Sequence, residues 1–215
     1  MKKKTQNTIL IIAILLAFVF VVFGAWMIIK SNTQKATNKA NVEWYDENGT
    51  EFVITTADEL YGVVALSDFY NFEGQTIKLG ADIVVNEGDA SEWAKKAPAR
   101  KWYPISGFKG TFDGQGHSIS GIYGKSLDSA MGLFSDTQRG CVIRDFRLLN
   151  SYFSGSSEGT GSISSHGGGT FDTIYTDAII ATNYSYAGGI IGQVSASGEH
   201  KISNCWFDGS IAMKS

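Results

Sequence analysis

The feature that most constrains this 215-residue chain is a repeat in its second half. Three segments open with glycine and two small or apolar residues: Gly132-Leu133-Phe134, Gly161-Ser162-Ile163 and Gly189-Ile190-Ile191, spaced by 29 and 28 residues. A second signal follows each one, apolar–polar–polar–apolar: Ile143-Arg144-Asp145-Phe146, Phe171-Asp172-Thr173-Ile174 and Ile202-Ser203-Asn204-Cys205, spaced by 28 and 31 residues. Ile119-Ser120-Gly121-Ile122 fits the same pattern 24 residues earlier. A regular strand alternates with period two, so two polar residues in succession break its phase. A bend at the third position restores the phase and turns both apolar side chains inward, onto successive walls. The bend column would be Gly121, Asp145, Thr173 and Asn204, mostly residue types that turn readily. Bent strands recurring at this period describe a solenoid whose coils stack about 4.8 Å apart. The pattern predicts an all-β fold, a parallel β-helix over residues 50–215. A leucine-rich repeat is the competing solenoid, but no Leu-x-x-Leu-x-Leu with Asn recurs.

The start of this domain carries a cap signal. In Thr56-Ala57-Asp58-Glu59, Thr56 can accept from the third helical N–H and Glu59 can reach back to the cap. Apolar residues then follow at helical spacing, which predicts a helix over 57–68 and short strands over 76–79 and 82–85. A helix ahead of stacked strands suits the terminal cover of a solenoid. The last coil runs to about Ile211 with no second helix before Ser215. An open end exposes unpaired backbone and core side chains. The expectation is either a longer parent chain or a second copy or partner covering that end.

Trp102-Tyr103-Pro104-Ile105, then GFKGTFDGQGHSISGIYG over 107–124, then Gly132-Leu133-Phe134, resemble the entry region of bacterial surface proteins that carry the GLUG motif. Gly188-Gly189-Ile190-Ile191-Gly192 resembles the motif itself, with Ile for Leu or Val. The resemblance covers about residues 56–211. It implies a right-handed, pectin-lyase-like β-helix on a secreted or surface-held protein, and it implies no single activity, since the motif also sits beside some metallopeptidases.

Charge and hydropathy divide the chain. Residues 1–40 hold six Lys and no acid, and the remainder carries 12 basic and 21 acidic side chains. An acidic domain neutralises phosphates poorly, which argues against nucleic acid as a partner. Residues 9–29 contain no charged side chain, and 15 of them are Ile, Leu, Val or Phe. A helix of that length spans roughly 31 Å, about the hydrocarbon thickness of a bilayer. Phe23-Gly24-Ala25 would serve as a signal-peptide cut, but the apolar run continues past it, so a retained transmembrane anchor is favoured. Lys2, Lys3 and Lys4 place residues 1–8 in the cytoplasm. That predicts a single-pass protein of the cell membrane with a linker over 30–49 and an extracellular domain.

The residues offer little chemistry. His117, His166 and His200 are scattered and no HExxH occurs, so no metal or other cofactor is expected. A polysaccharide lyase or glycosidase is the alternative to a binding module, with Asp172, Asp177 and Asp208 as an acidic patch, because glycoside cleavage uses two carboxylates. A structural stalk is a third reading. Asp113 and His117 read as turn and stacking structure, as do Gly114, Gly116 and Gly167 to Gly169. Cys141 and Cys205 lie two coils apart, about 9.6 Å, too far for a disulfide, and are expected as free buried thiols. One outward column stands out as a binding platform: Tyr123, Arg147, Tyr175 and Trp206, one per coil. Beside it, Ser120, Arg144, Asp172 and Ser203 would stack, with Arg144 next to Asp172. The favoured reading is adhesion, with a glycan or a surface protein as ligand and no catalysis.

Overall fold

The computed structural model describes residues 39–155, 159–183, 185–195 and 200–213. Residues 9–29, where the sequence places the membrane anchor, lie outside that set. No helix among the described residues is long and apolar enough to cross a membrane.

Residues from Ala40 onward form one unit, a parallel β-solenoid of about five turns. It begins with β1 (Glu51–Ile54), α1 (Ala57–Leu66), β2 (Thr76–Leu79) and β3 (Ile83–Val84). The next coils carry β4 (Thr111–Asp113), β5 (Ser118–Ser120), β6 (Tyr123–Lys125), β7 (Phe134–Thr137), β8 (Val142–Leu149) and β9 (Tyr152–Ser154). Then come β10 (Thr160–Gly161), β11 (Ser164–Gly167), β12 (Gly169–Thr176), β13 (Ile179–Thr182), β14 (Ala187–Gly188) and β15 (Ile191–Val194). The last described coil holds β16 (His200–Ser203), β17 (Trp206–Phe207) and β18 (Ser210–Met213). All strand pairs are parallel. The longest sheet runs β1-β2-β4-β8-β12-β16, a second runs β7-β11-β15, and a third runs β6-β9-β13-β18.

The register explains why the repeat folds this way. Phe52, Ile77, Phe112, Ile143, Phe171 and Ile202 are successive partners down the longest sheet. The first five are buried, and Phe112, Ile143 and Phe171 are wholly so. Burying one such side chain stabilises by roughly 1.5–3 kcal/mol, and the column repeats that gain on every coil. Asp145, Thr173 and Asn204 stack between the two apolar columns with φ of 57°, 55° and 52°. That left-handed backbone is the bend the pattern required. Thr173 occupies it against its preference, because a β-branched side chain is crowded there.

Gly121 does not belong to this bend column. Ile119 pairs with Leu148 and Ser120 with Leu149, so the 119–122 segment lies one corner later than its likeness to 143–146 implied. Asp113 pairs with Arg144, and the turn facing Asp145 is Gly114 to Gly116, with φ of 53° at Gln115. A Cβ on Gly114 would stand 2.1 Å from that of Phe146, so only glycine lets these coils close. The glycine column is likewise Gly132, Gly161 and Gly188 rather than Gly189.

The capping box is formed: Thr56 Oγ1 accepts from Glu59 N at 3.2 Å, and Glu59 Oε2 accepts from Thr56 N at 3.0 Å. The helix ends two residues short of the sequence estimate, where Ser67 N donates to Val63 O. Residues 40–49 are part of the fold and not a free linker. Trp44 and Tyr45 pack on the core, and Asn41 N donates to Asp58 O at 2.8 Å.

Trp102 is fully buried, and its indole N–H donates to the carbonyls of Gly132 and Leu133, each at 3.2 Å. The two motifs that carried the family resemblance therefore touch across adjacent coils. Ile105 also bridges Phe134.

Candidate functional site

The bend at Asp145, Thr173 and Asn204 resets the alternation, so the residue after each second apolar position points outward. Arg147 pairs with Tyr175, and Tyr175 pairs with Trp206. These three stack as expected across three coils. They border a shallow concavity of about 250 Å³ whose floor is Phe146 and Ile174, with Asn204 and Gly116 at its margins. Trp206 is 68% exposed, and no ion pair among the described residues holds Arg147. A broad apolar face beside a free guanidinium is a surface that a flat ligand or a protein side chain can cover.

Tyr123 is not in this column. Arg147 pairs with Ser118, and Tyr123 sits on the third sheet opposite Tyr152. The two rings stack at 5.8 Å and 19°, and Trp93 meets Tyr123 edge-on at 6.2 Å. An excursion between β3 and β4 brings Trp93 and Ala90 over this outer face and buries Tyr123. Burial, with Tyr152 adding to it, pushes the Tyr123 phenol upward. No periodic signal links residues 86–101 to the Tyr123 and Tyr152 wall that they pack on.

The neighbouring polar column also changes. Arg144 faces both Asp113 and Asp172 in register. Its Nη2 and Nε bond Asp113 Oδ2 at 2.7 and 3.0 Å, so the ion pair forms with the preceding coil. Burial alone would raise the Asp113 carboxyl, but the bonds from Arg144 and Gln115 outweigh it and hold it below the usual range. Asp172 instead accepts from Ser203 Oγ at 2.6 Å and Asn204 Nδ2 at 2.9 Å, and these bonds lower its carboxyl. Ser120 pairs with Leu149, outside this column.

The three aspartates named as the enzymatic alternative have local partners. Asp177 and Asp208 share a column. Asp177 Oδ1 accepts from Asn150 N at 2.6 Å, and Asp208 Oδ2 accepts from Tyr175 Oη at 3.3 Å. Burial and the nearby Asp208 charge raise the Tyr175 phenol. A glycosidic acid needs a raised carboxyl pKa at neutral pH, and Asp172 is shifted the other way. Asp113 and His117 flank the turn at Gln115 and Gly116, where Asp113 Oδ1 accepts from Gln115 N, and His117 lies 3.5 Å from Asp82. Among the described residues, no group of three or more His, Cys, Asp or Glu is placed to hold a metal ion.

Both thiols are free. Cys141 is buried, donates to Gly168 O at 3.2 Å, and is pushed up to about 11 by burial. Cys205 was also expected to be buried, but it lies on the last described coil and is only half-buried.

Fold and site together define a parallel β-solenoid with an exposed aromatic and cationic stripe on its longest sheet. No protein-family profile matches the chain, and no solved structure matches it. The chain is 28% identical over 153 residues to Halomucin from Haloquadratum walsbyi (strain DSM 16790 / HBSQ001). The alignment takes in 69% of this chain and 2% of that protein, so the chain spans a small fraction of the relative's length.

Proposed function

We propose that this chain is a non-catalytic surface module of the GLUG-bearing, pectin-lyase-like kind, which binds a glycan or protein ligand on the stripe of Arg147, Tyr175 and Trp206. The carrying observation is that stripe: three outward residues in exact register over an apolar floor, with Trp206 68% exposed. A right-handed winding goes with this reading, as parallel crossovers take that hand in nearly all sheets. The likeness to Halomucin is in keeping with a place at the cell surface. Residues 9–29 hold the module at the membrane, with the solenoid outside. Ile202 and Ile211 on the last described coil stand half exposed although their partners one coil back are buried, a face that further chain, a partner or a second copy would cover.

The test is a glycan array and a polysaccharide-depolymerisation assay on one preparation of the full chain. The reading expects saturable binding without product release. Trp206→Ala should weaken that binding by roughly 1–3 kcal/mol, the range for truncating a central aromatic anchor. Product release would overturn it and return Asp172, Asp177 and Asp208 to consideration as catalytic groups. Binding that is indifferent to Trp206 and Arg147 would remove the stripe.

A further inference from the structure

A second concavity, of about 560 Å³, lies at the first coils, where the segment after α1 meets residues 45–48. Four aromatic residues line it: Tyr45, Phe69, Tyr70 and Phe72. The Tyr45 and Tyr70 rings stand 5.1 Å apart at 51°, and Tyr45 meets Phe72 edge-on at 5.9 Å. Phe72 is buried and forms the floor, whereas Tyr70 is 38% and Phe69 82% exposed. The two exposed rings are presented by the helix end, where Phe69 N and Tyr70 N both donate to Leu66 O at 2.9 Å.

The charged groups at this concavity are unbalanced. Glu47 and Glu73 line it, and Lys109 neutralises Glu73 at 2.6 Å. Glu47 has no ion pair among the described residues. Burial raises the Tyr45 phenol against the bond to Gln75, and Tyr70 and then the Glu47 and Asp46 carboxylates add to the rise. The last turn of α1 holds no basic residue, which leaves the negative end of its dipole uncompensated where Phe69 and Tyr70 emerge. Aromatic faces, a free carboxylate and a helix C-terminus all attract positive charge, and aromatic walls favour a cation that sheds water easily.

We propose that this concavity binds an organic cation of the quaternary-ammonium kind. The site is separate from the Trp206 stripe, which lies on the last coils. Tyr45, Tyr70 and Phe69 wrap the methyl groups while Glu47 supplies the counter-charge. An anion covalently attached to the same ligand is disfavoured, since Glu47 would face it.

Choline, phosphocholine and the neutral isostere of choline with a tert-butyl group are titrated into the full chain, followed by calorimetry and saturation-transfer NMR. The expected result is saturable choline binding on the order of 1 mM, with the neutral isostere and phosphocholine at least about tenfold weaker. Glu47→Gln should weaken choline about fivefold, the factor one unit charge contributes at contact distance in water. Tyr70→Ala should weaken it by a similar factor. The Glu47 side chain makes no ion pair, so its variant should keep the wild-type circular dichroism. Equal binding of choline and its neutral isostere would overturn the proposal, even if neither variant folds. So would an absence of choline binding, or phosphocholine binding as tightly as choline.

Discussion

The two ends of the solenoid present inward apolar residues to different surroundings. At the first coil Phe52 and Ile54 are 6% and 0% exposed, covered by α1 and by Trp44 and Tyr45. At the last described coil Ile202 and Ile211 are 51% and 45% exposed, although their partners Phe171 and Ile180 one coil back are fully buried. The residue types match, so what differs is the neighbour. Burial in a solenoid comes from the next repeat, and stability is close to a sum over adjacent coils and their interfaces. The helix closes one end because its Leu60 and Val63 take the place of a missing coil. Gly62 permits the close fit: a Cβ there would lie 2.0 Å from Asn41 O.

That contrast can be broken most forcefully in the shared apolar column. Phe112→Ala should cost about 3–5 kcal/mol in chemical denaturation, because both neighbouring coils lose contacts. Ile202→Ala, in the same column but uncovered on one side, should cost about 1 kcal/mol or less. Comparable losses would mean that the last coil is covered in solution. The bend column sharpens the point in the other direction. Thr173 has a φ of 55°, and Thr173→Asn should stabilise by roughly 1 kcal/mol in the same assay. At the closed end, Thr56→Ala removes an N-cap and should cost about 1 kcal/mol. Its hydrogen-exchange signature should stay within α1 and β1 if coils act as local units.

The thiols give the most direct readout of coverage. Cys205 should react with a soluble maleimide well before Cys141 in the native protein. Because folding raises the Cys141 thiol to about 11, its contribution to stability is complete below the unfolded value near 9. It is lost as pH rises through that window, since the unfolded chain then ionises more readily. A denaturation series from pH 8 to 11 should show a steeper loss in the wild type than in Cys141→Ser, which keeps only the contribution of the other raised groups.

Much of the fold was legible because one physical rule repeats. Ile143, Phe171 and Ile202 recur about one coil apart, and a register slip would turn a buried column outward. Residues 119–122 misled for the same reason. Each coil has more than one corner, and an apolar pair flanking a turn looks alike at all of them; only pairing with Leu148 fixes which one this is. The stripe was legible where strands stay in register, at Arg147, Tyr175 and Trp206. It failed at Tyr123, which stacks on Tyr152 one coil on but in the third sheet, and is covered by Trp93 from a segment that no period links to it. The Arg144 partner was ambiguous because aspartates lie on both sides in register. Geometry chose Asp113, which is almost fully buried and bound at two nitrogens.

By itself, then, the sequence determined the coil, its bends and the inward columns, since these follow from local alternation and the backbone preferences of single residues. The tertiary structure decided which outward residues stay exposed, which carboxylate Arg144 meets and how each end is covered. Those outcomes depend on excursions and neighbours that pack from a distance, and a periodic signal carries no information about them.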